Sequence, residues 1–210
     1  MLRLAEAQTV KPRRACTELC LRRLKIRTAI SCNQPRKDGM FLSGERELFL
    51  AYEHDTYDRR VQLGASRRRR EDSECLYRAN HWAGAMYLGG YAVECALKAL
   101  ICLNEGKNNF KDTKPFKAGM QGSSLHSLAQ LRRALPAIER AISLDRTNTY
   151  KPAWDTLSRL WQKDELRYWD KDGNQQDSAD FIAAVQTLHN FILSQLAVCR
   201  REKGSPSCWY

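Results

Sequence analysis

Four polar side chains recur at helical spacing inside an otherwise apolar stretch of this sequence. Tyr87, Tyr91, Glu94 and Lys98 follow an i, i+4, i+7, i+11 pattern, which places them along one stripe of a helix. Glu94 precedes Lys98 by four residues, the order that favours a helical ion pair. Charged groups among apolar residues cost free energy unless they are paired. This stripe is therefore the first place to expect an ion pair or a polar site.

Three residues further along the chain carry complementary chemistry. His126 can titrate near neutral pH, Arg167 offers a cation for a phosphate group, and Tyr168 offers an aromatic face for a base. All three lie near the predicted ends of helices that a bundle brings close to the stripe. We predict a ligand-binding site built from Glu94, Lys98, His126, Arg167 and Tyr168, with His126 and Arg167 as its catalytic candidates.

A purely structural interpretation of the same residues stays open. Glu94 and Lys98 then neutralise each other in a crowded interior, and His126 is a satisfied residue at the start of a helix. Arg167 and Tyr168 then serve only to pack neighbouring segments together. In either case we expect Tyr87 and Tyr91 to lie in the core or at a dimer interface.

The stripe belongs to residues 82–103, whose only charges are those of Glu94 and Lys98. This length suffices to cross a bilayer, but each central charge would cost about 2.5–3.5 kcal/mol there. A helix that is apolar on nearly every side also suits the centre of a bundle. We predict the buried central helix of a bundle that does not enter a membrane.

Three glycines in this helix predict the close approach of another helix. Each lowers helix propensity by about 1 kcal/mol relative to alanine, and close packing is the expected compensation. They are Gly84, Gly89 and Gly90.

Weaker periodicity predicts a helix before the central one. It covers residues 44–65, with Leu48, Tyr52 and Val61 as inward positions, and Gly64 is a candidate break before the helix continues to about residue 78. The charge run 67–74 favours a solvated face with local ion pairs over a phosphate-binding patch.

Residues 104–123 are rich in polar residues, glycine and proline, and are predicted to form a long loop. Ser123 or Ser124 is the expected cap of the next helix, and Pro136 should kink or restart that helix. Pro152 suits the first turn of a further helix. A break is predicted around residues 166–176. The inward positions of the first two helices are Leu125, Leu128, Leu131 and Leu135, then Trp154, Leu157 and Trp161.

The last helix has the clearest amphipathic pattern, which holds the 3.6-residue period for five turns. Its inward positions are Phe181, Val185, Leu188, Ile192, Leu196 and Cys199. No stretch shows the alternation of a strand. The fold class is predicted to be all-α.

Length and charge predict one helical domain with a basic extension. The chain has 210 residues and a net charge of +11, and residues 1–40 contain ten Lys or Arg against three acids. We predict a disordered or partly helical extension (1–43), a helical bundle (44–200) and a tail (201–210). The extension is read as a disordered leader or as sequence upstream of a start at Met40. An RNA-contacting arm and an organelle-targeting peptide are the alternatives.

The eight cysteines do not form a metal-binding pattern. Cys16 and Cys20 are four residues apart with no second pair to match. Several others fall in apolar helical stretches, where cysteine acts as a small hydrophobe. We predict a reduced, cytoplasmic protein without a metal or another cofactor.

Several segments in this order resemble the HEPN domain family. Residues 85–101, AMYLGGYAVECALKALI, look like the signature helix of bacterial members, and a small polar and aromatic corner at 80–82 precedes it. His126-Ser-Leu-x-x-Leu131 is similar to the family's His-Asp-Leu-x-x-Leu segment, with Ser127 in place of Asp. Trp161 followed by Arg167-Tyr168 resembles its Trp…Arg-Tyr segment. The resemblance covers about residues 55–199.

This resemblance implies an up-and-down bundle of four to five helices that pairs as a homodimer. Family members often accompany small nucleotidyltransferases, belong to toxin–antitoxin systems or bind nucleotides. Catalytic members cleave RNA without a metal, with an Arg and a His separated by four to six residues.

The arginine–histidine spacing of the catalytic members is missing from this sequence. Arg78 and His81 have two residues between them, and Arg46 and His54 have seven. Downstream of Arg167, the positions where a histidine would be expected hold Asp172, Gly173 and Asn174. A carboxylic acid is a poor general acid at neutral pH unless its pKa is strongly perturbed.

We therefore expect a dimeric module that binds a nucleotide, RNA or a protein partner such as a nucleotidyltransferase or an antitoxin. Two alternatives stay open. One is a metal-independent endoribonuclease with a divergent site around His126 and Arg167. The other is a purely structural dimeric bundle.

Overall fold

The computed structural model describes residues 55–169 and 173–204, and helices make up most of this part of the chain. The all-α prediction is confirmed: these residues form no strand, and their one β-type contact is an isolated bridge between Asp58 and Asn109. Two short 3-10 helices cover Phe110–Asp112 and Gly122–His126. The α-helices are α1 Arg59–Arg78, α2 Trp82–Asn104, α3 Lys114–Lys117, α4 Leu128–Arg133, α5 Pro136–Ser143, α6 Tyr150–Leu160, α7 Lys163–Tyr168 and α8 Gln175–Gly204.

Several predictions concern segments outside the described residues. They are the basic extension 1–43, the start of the first helix with its inward positions Leu48 and Tyr52, residues 170–172 of the predicted break, and residues 205–210 of the tail.

Helix α2 is the buried centre of the fold, as predicted. Sixteen of its 23 residues are buried, among them both charged residues of the polar stripe, Glu94 and Lys98. Helices α1, α4, α7 and α8 all pack against α2. Apolar residues on almost every side of α2 are therefore covered by a different neighbour.

Among the described residues, two helices are long and apolar enough to cross a membrane by length and composition alone. They are α2 and residues 175–199 of α8. In α2, 83% of the apolar 18-residue stretch that would cross the membrane is buried inside the protein, against 39% of the corresponding stretch in α8. Such burial of α2 is typical of a core helix.

Helices α1 and α2 form a close antiparallel hairpin. Asp58 begins α1 because its side chain accepts hydrogen bonds from the amides of Arg60 and Val61. Asn80 follows α1 with φ of 64°, a left-handed conformation that asparagine tolerates and that ends helices. Along the contact, Ser66 and Ser73 donate their hydroxyl protons to backbone carbonyls of α2 at 2.8 Å.

Close packing at Gly89 and Gly90 confirms the sequence prediction for two of the three glycines, whereas a Cβ on Gly84 would make only an ordinary contact with the Leu76 side chain, at 3.4 Å. A Cβ on Gly89 would lie 2.9 Å from the Ser73 hydroxyl oxygen of α1. A Cβ on Gly90 would lie 1.9 Å from the indole nitrogen of Trp161, which directly follows α6. Side chains at these two positions would therefore push α1 and Trp161 away from the central helix.

The remaining helices bury the apolar positions that periodicity predicts. These are Leu128, Leu131 and Leu135 in and after α4, Trp154 and Leu157 on α6, and Phe181 and Ile192 on α8. Ile138 and Ile142 of α5 are buried as well, although no inward position was predicted there. Pro136 restarts the chain as α5, and Pro152 lies in the first turn of α6, both as predicted. The last helix follows its predicted inward positions from Phe181 to Leu196.

Four local predictions were wrong. Gly64 lies inside α1 and does not break it, because the cost of one glycine, about 1 kcal/mol, is offset by the packing of α1 along α2. Residues 104–123 contain helical turns, and Phe110 anchors them in the core with no exposed surface. The cap of α4 is Ser127, whose hydroxyl accepts from the amide of Gln130, whereas Ser123 and Ser124 lie within a 3-10 helix. The predicted break begins late, because Leu166 is buried within α7.

Gly90→Ala tests the close approach of Trp161 to α2. Alanine has the higher helix propensity, but its methyl group would overlap the indole ring. We expect the free energy of unfolding to fall by about 1–3 kcal/mol, the usual cost of overpacking, in a urea titration. Gly64→Ala is the matched control, since a Cβ there meets nothing within 4 Å, and it should gain up to about 1 kcal/mol. Equal stability of the two variants would contradict this packing.

Candidate functional site

A buried ion pair with a histidine attached to it forms the inner end of the polar stripe. Glu94 Oε1 accepts a hydrogen bond from Lys98 Nζ at 2.6 Å and lies 2.9 Å from His126 Nδ1. Glu94 and Lys98 are 2% and 4% exposed, whereas the His126 side chain is 37% exposed. The predicted ion pair is therefore present, and it draws in a residue from a separate segment. We name these three residues the Glu94 cluster.

The charge state of Glu94 reflects two opposing effects. Burial raises its pKa, while the hydrogen bond from His126 and the charge of Lys98 lower it, and the net result is a pKa below the ordinary value. Glu94 is therefore a carboxylate at neutral pH, paired with the Lys98 ammonium group. Its second oxygen, Oε2, is buried and has no hydrogen-bond partner among the described residues.

Two tyrosines and an arginine form the outer end of the stripe. The rings of Tyr87 and Tyr91 meet edge to face with centroids 5.0 Å apart. Arg167 donates from Nε to the Tyr87 hydroxyl at 3.3 Å. Hydrogen bonding with Tyr87, then with Tyr91 and Tyr168, raises the pKa of the Arg167 guanidinium above its ordinary value. Burial, followed by the hydrogen bond with Tyr87, raises the pKa of Tyr91 to about 12. Tyr91 therefore keeps its proton at neutral pH.

Tyr91 connects the two ends of the stripe. Its ring packs edge-on against the His126 ring at 6.2 Å and against Trp161 at 5.3 Å. The guanidinium of Arg69 lies over the same ring, 5.3 Å from its centroid. Tyr91 is thus a half-buried packing centre, in agreement with its predicted place in the core.

The charge run on α1 is only partly a solvated face. Arg67 and Arg68 are exposed, and Arg70 forms an ion pair with Glu74 at 3.0 Å, as predicted. Arg69 instead turns towards α2, where it donates to the Cys95 sulfur at 3.5 Å. Its position in a run of four arginines gave no sequence signal for this orientation.

The structure brings together three of the five predicted site residues. Lys98 and His126 both contact Glu94, whereas Arg167 contacts Tyr87 at the other end of the stripe. Tyr168 is 79% exposed, and its neighbour Trp169, which the sequence prediction missed, is 49% exposed. We name Tyr87, Tyr91, Arg167, Tyr168 and Trp169 the tyrosine–arginine surface.

A cleft of about 380 Å³ opens beside His126. It lies between the start of α4, the end of α6 and the start of α7. Its polar lining consists of His126, Ser127, Ser158, Gln162 and Lys163, with the acids Asp164 and Glu165. We name it the His126 cleft. A cleft of this volume is in the range of small-molecule sites.

A second histidine is enclosed in the core, which the sequence prediction did not foresee. His189 of α8 lies 2.7 Å from the Ser66 hydroxyl through Nε2, and Ser66 donates its own proton to the Ala92 carbonyl. Burial, with the charges of Arg70 and Arg67, lowers the pKa of His189 to about 4. His189 is therefore neutral at pH 7 and donates from Nε2 to Ser66.

The cysteines of the described residues are packing residues, as predicted. Cys95 and Cys102 are buried, and burial raises the pKa of their thiols to about 11 and about 12. Cys75 and Cys199 are half-buried. Within residues 55–169 and 173–204, no group of three His, Cys, Asp or Glu residues is arranged to hold a metal ion.

Comparisons of this chain with family models, with curated proteins and with solved structures gave no match.

Lys98→Met tests the buried ion pair. The substitution leaves the Glu94 carboxylate buried with only His126 beside it, and removing one partner of such a pair costs about 3–5 kcal/mol. We expect a loss of about 3 kcal/mol in the free energy of unfolding at pH 7, measured by urea denaturation. Adding Glu94→Gln to Lys98→Met should recover at least half of that loss.

Arg70→Met is the matched control, because it removes the cation of a partly exposed i, i+4 pair on α1. Its cost should stay below about 1 kcal/mol. If Lys98→Met lowers the free energy of unfolding no more than Arg70→Met does, the buried ion pair does not contribute the stability predicted for it.

Proposed function

We propose that this chain is a HEPN-like module that binds a nucleotide or RNA through the tyrosine–arginine surface. In this proposal the long helices α1, α2, α6 and α8, together with α4 and α5, make up an up-and-down bundle of the HEPN type. The protein acts in the cytoplasm as a homodimer, as part of a toxin–antitoxin or nucleotidyltransferase-associated system.

The convergence of separate segments on α2 supports the family part of the proposal. The three downstream features of the resemblance all contact the polar stripe or its neighbours: His126 contacts Glu94, Trp161 packs on Tyr91, and Arg167 contacts Tyr87. Residues that are 32–80 positions apart along the chain thus meet on one helix face. Proteins with the same fold are expected to carry these motifs in the same order and to bring them to the same face of the central helix.

Exposed aromatic rings beside a cation are the observation that carries the binding part of the proposal. Tyr168 and Trp169 present 79% and 49% of their surface to solvent directly after Arg167. Exposed tryptophan and tyrosine side chains have an energetic cost in water unless a ligand covers them. An aromatic ring stacks on any base, and a guanidinium binds phosphate oxygens through paired hydrogen bonds.

The net charge of +11 agrees with a polyanionic ligand. Positive charge raises the rate of encounter with nucleic acid and makes binding salt-dependent. Much of the excess lies in residues 1–40, so a full-length chain should bind RNA more tightly than it binds a single nucleotide.

Binding of ATP, GTP and a short single-stranded RNA to the full-length chain tests this proposal. We expect saturable binding by calorimetry, and Arg167→Ala and Tyr168→Ala should each weaken it about tenfold, since one stacked base or one charged contact contributes about 1–3 kcal/mol.

Light scattering of the same samples tests the oligomeric state, and it should give the mass of a dimer.

Arg140→Ala is the matched control for this binding test. It removes an exposed arginine of α5, away from the tyrosine–arginine surface, and should leave the affinity unchanged. Absence of binding, or equal losses in Arg140→Ala and Arg167→Ala, would refute a ligand site at this surface.

A metal-independent endoribonuclease is the second candidate function, and the Glu94–His126 contact favours it. A carboxylate that holds Nδ1 of a histidine fixes its tautomer and leaves Nε2 to take or give a proton. Incubation of tRNA with the protein in EDTA should then give cleavage that His126→Ala abolishes. His81→Ala is the control, because His81 is exposed. RNA that stays intact at high protein concentration excludes this function.

A further inference from the structure

The His126 cleft is separate in its chemistry from the tyrosine–arginine surface. It offers hydroxyl, amide and cationic groups, with one indole ring in its wall, from Trp161. Tyr87, Arg167, Tyr168 and Trp169 do not line it. A ligand of the cleft is therefore recognised by polar contacts rather than by a stack of aromatic rings.

His126 is the best-positioned polar side chain in the cleft. Its Nδ1 is fixed on Glu94 at 2.9 Å, and its Nε2 has no hydrogen-bond partner within the described part of the chain. The ring is also held from the side by Tyr91. With one nitrogen and one face fixed, the ring presents Nε2 in a defined direction, which lowers the entropic cost of binding a ligand there.

The energetics of the Glu94 cluster point to a role beyond stability. Both donors bind Oε1 of Glu94, while Oε2 is buried with no partner among the described residues. A buried ion pair with an unsatisfied oxygen often adds less stability than apolar residues of similar size would add. What the cluster achieves is the placement of His126 at the cleft.

The charges around the cleft favour a small anion over a polyanion. Lys163 is half-buried and forms no ion pair with another described residue, so its ammonium group is available to a ligand. The hydroxyl of Ser158 and the amide of Gln162 add neutral donors beside it. Asp164 and Glu165 are exposed in the same wall, and their charges oppose the approach of a long phosphate backbone.

We propose that the His126 cleft is a second binding site, which takes the phosphate or carboxylate group of a small molecule between His126 and Lys163. The bound oxyanion accepts hydrogen bonds from the Lys163 ammonium group and from Nε2–H of His126 in its doubly protonated form, whose Nδ1–H donates to Glu94. Ser158 and Gln162 contact the remainder of the ligand. The site is independent of RNA binding at the tyrosine–arginine surface.

Titration of the ¹⁵N-labelled full-length chain with inorganic phosphate, and in parallel with acetate, tests this site by NMR. We expect saturable shifts of the Ser127, Gln162 and Lys163 amides with at least one of the two anions. Saturation with phosphate alone identifies a tetrahedral oxyanion as the ligand group, and saturation with acetate alone identifies a carboxylate. Shifts that stay linear throughout with both anions overturn the proposal.

Lys163→Ala and His126→Ala should each raise the dissociation constant at least tenfold, because each removes a charged or polar contact to the anion. Lys107→Ala removes an exposed lysine outside the cleft and should have no effect. Glu94→Gln should weaken binding by releasing His126, and its circular dichroism spectrum checks that the fold is kept. Losses of equal size in Lys107→Ala and Lys163→Ala would overturn the site.

A double variant, Arg167→Ala with Tyr168→Ala, separates this site from the proposed RNA site. The anion should bind the double variant as tightly as the parent chain, even if RNA no longer binds. Loss of anion binding in the double variant would show that the cleft is not a site of its own.

Discussion

A carboxylate in the middle of the most buried helix is the constraint on which the rest of the molecule depends. Glu94 is ionised at 2% exposure, so a positive group has to stand beside it. Lys98, one turn further along α2, supplies that charge from the same helix. The same oxygen also binds His126, which fixes the 3-10 helix Gly122–His126 against α2. One buried charge thereby determines where a distant segment of the chain is placed.

Contacts to this stripe are short because α2 lacks side chains at two neighbouring positions. Gly89 admits the Ser73 hydroxyl of α1, and Gly90 admits the indole of Trp161, whose N–H reaches the backbone carbonyl of Tyr87 at 3.3 Å. Trp161 in turn supports the Tyr91 ring from one side while His126 supports it from another. The helix-propensity cost of the glycines is thus offset by packing that holds the aromatic part of the site.

Hydrophobic period and charge spacing predicted which side chains of this fold are inside. The α8 positions from Phe181 to Leu196 and the Glu94–Lys98 pair followed directly from them. Hydrogen-bond partners did not follow, because a hydroxyl or a guanidinium has several partners within reach and only the tertiary fold selects one. For this reason Ser127, not Ser123 or Ser124, caps α4, and Arg69 lies on Tyr91 while its neighbours Arg67 and Arg68 face solvent. The exposed Trp169 carried no signal at all, since a tryptophan in sequence normally indicates core.

The two ends of the polar stripe differ in net charge, and this charge decides how each end attracts a ligand. At the inner end the charges of Glu94 and Lys98 cancel, so this end attracts no distant ion and acts only through the orientation of His126. At the outer end Arg167 keeps its charge, because hydrogen bonding with Tyr87 and its neighbours raises its pKa above the ordinary value, and Tyr91, with a pKa of about 12, stays protonated. Arg167 therefore offers an exposed cation to an approaching anion, against the opposing charges of Asp164 and Glu165 on the same short helix. At contact distance, ligands are distinguished by side chains that are rigidly held, and the Glu94 cluster holds His126 in this way.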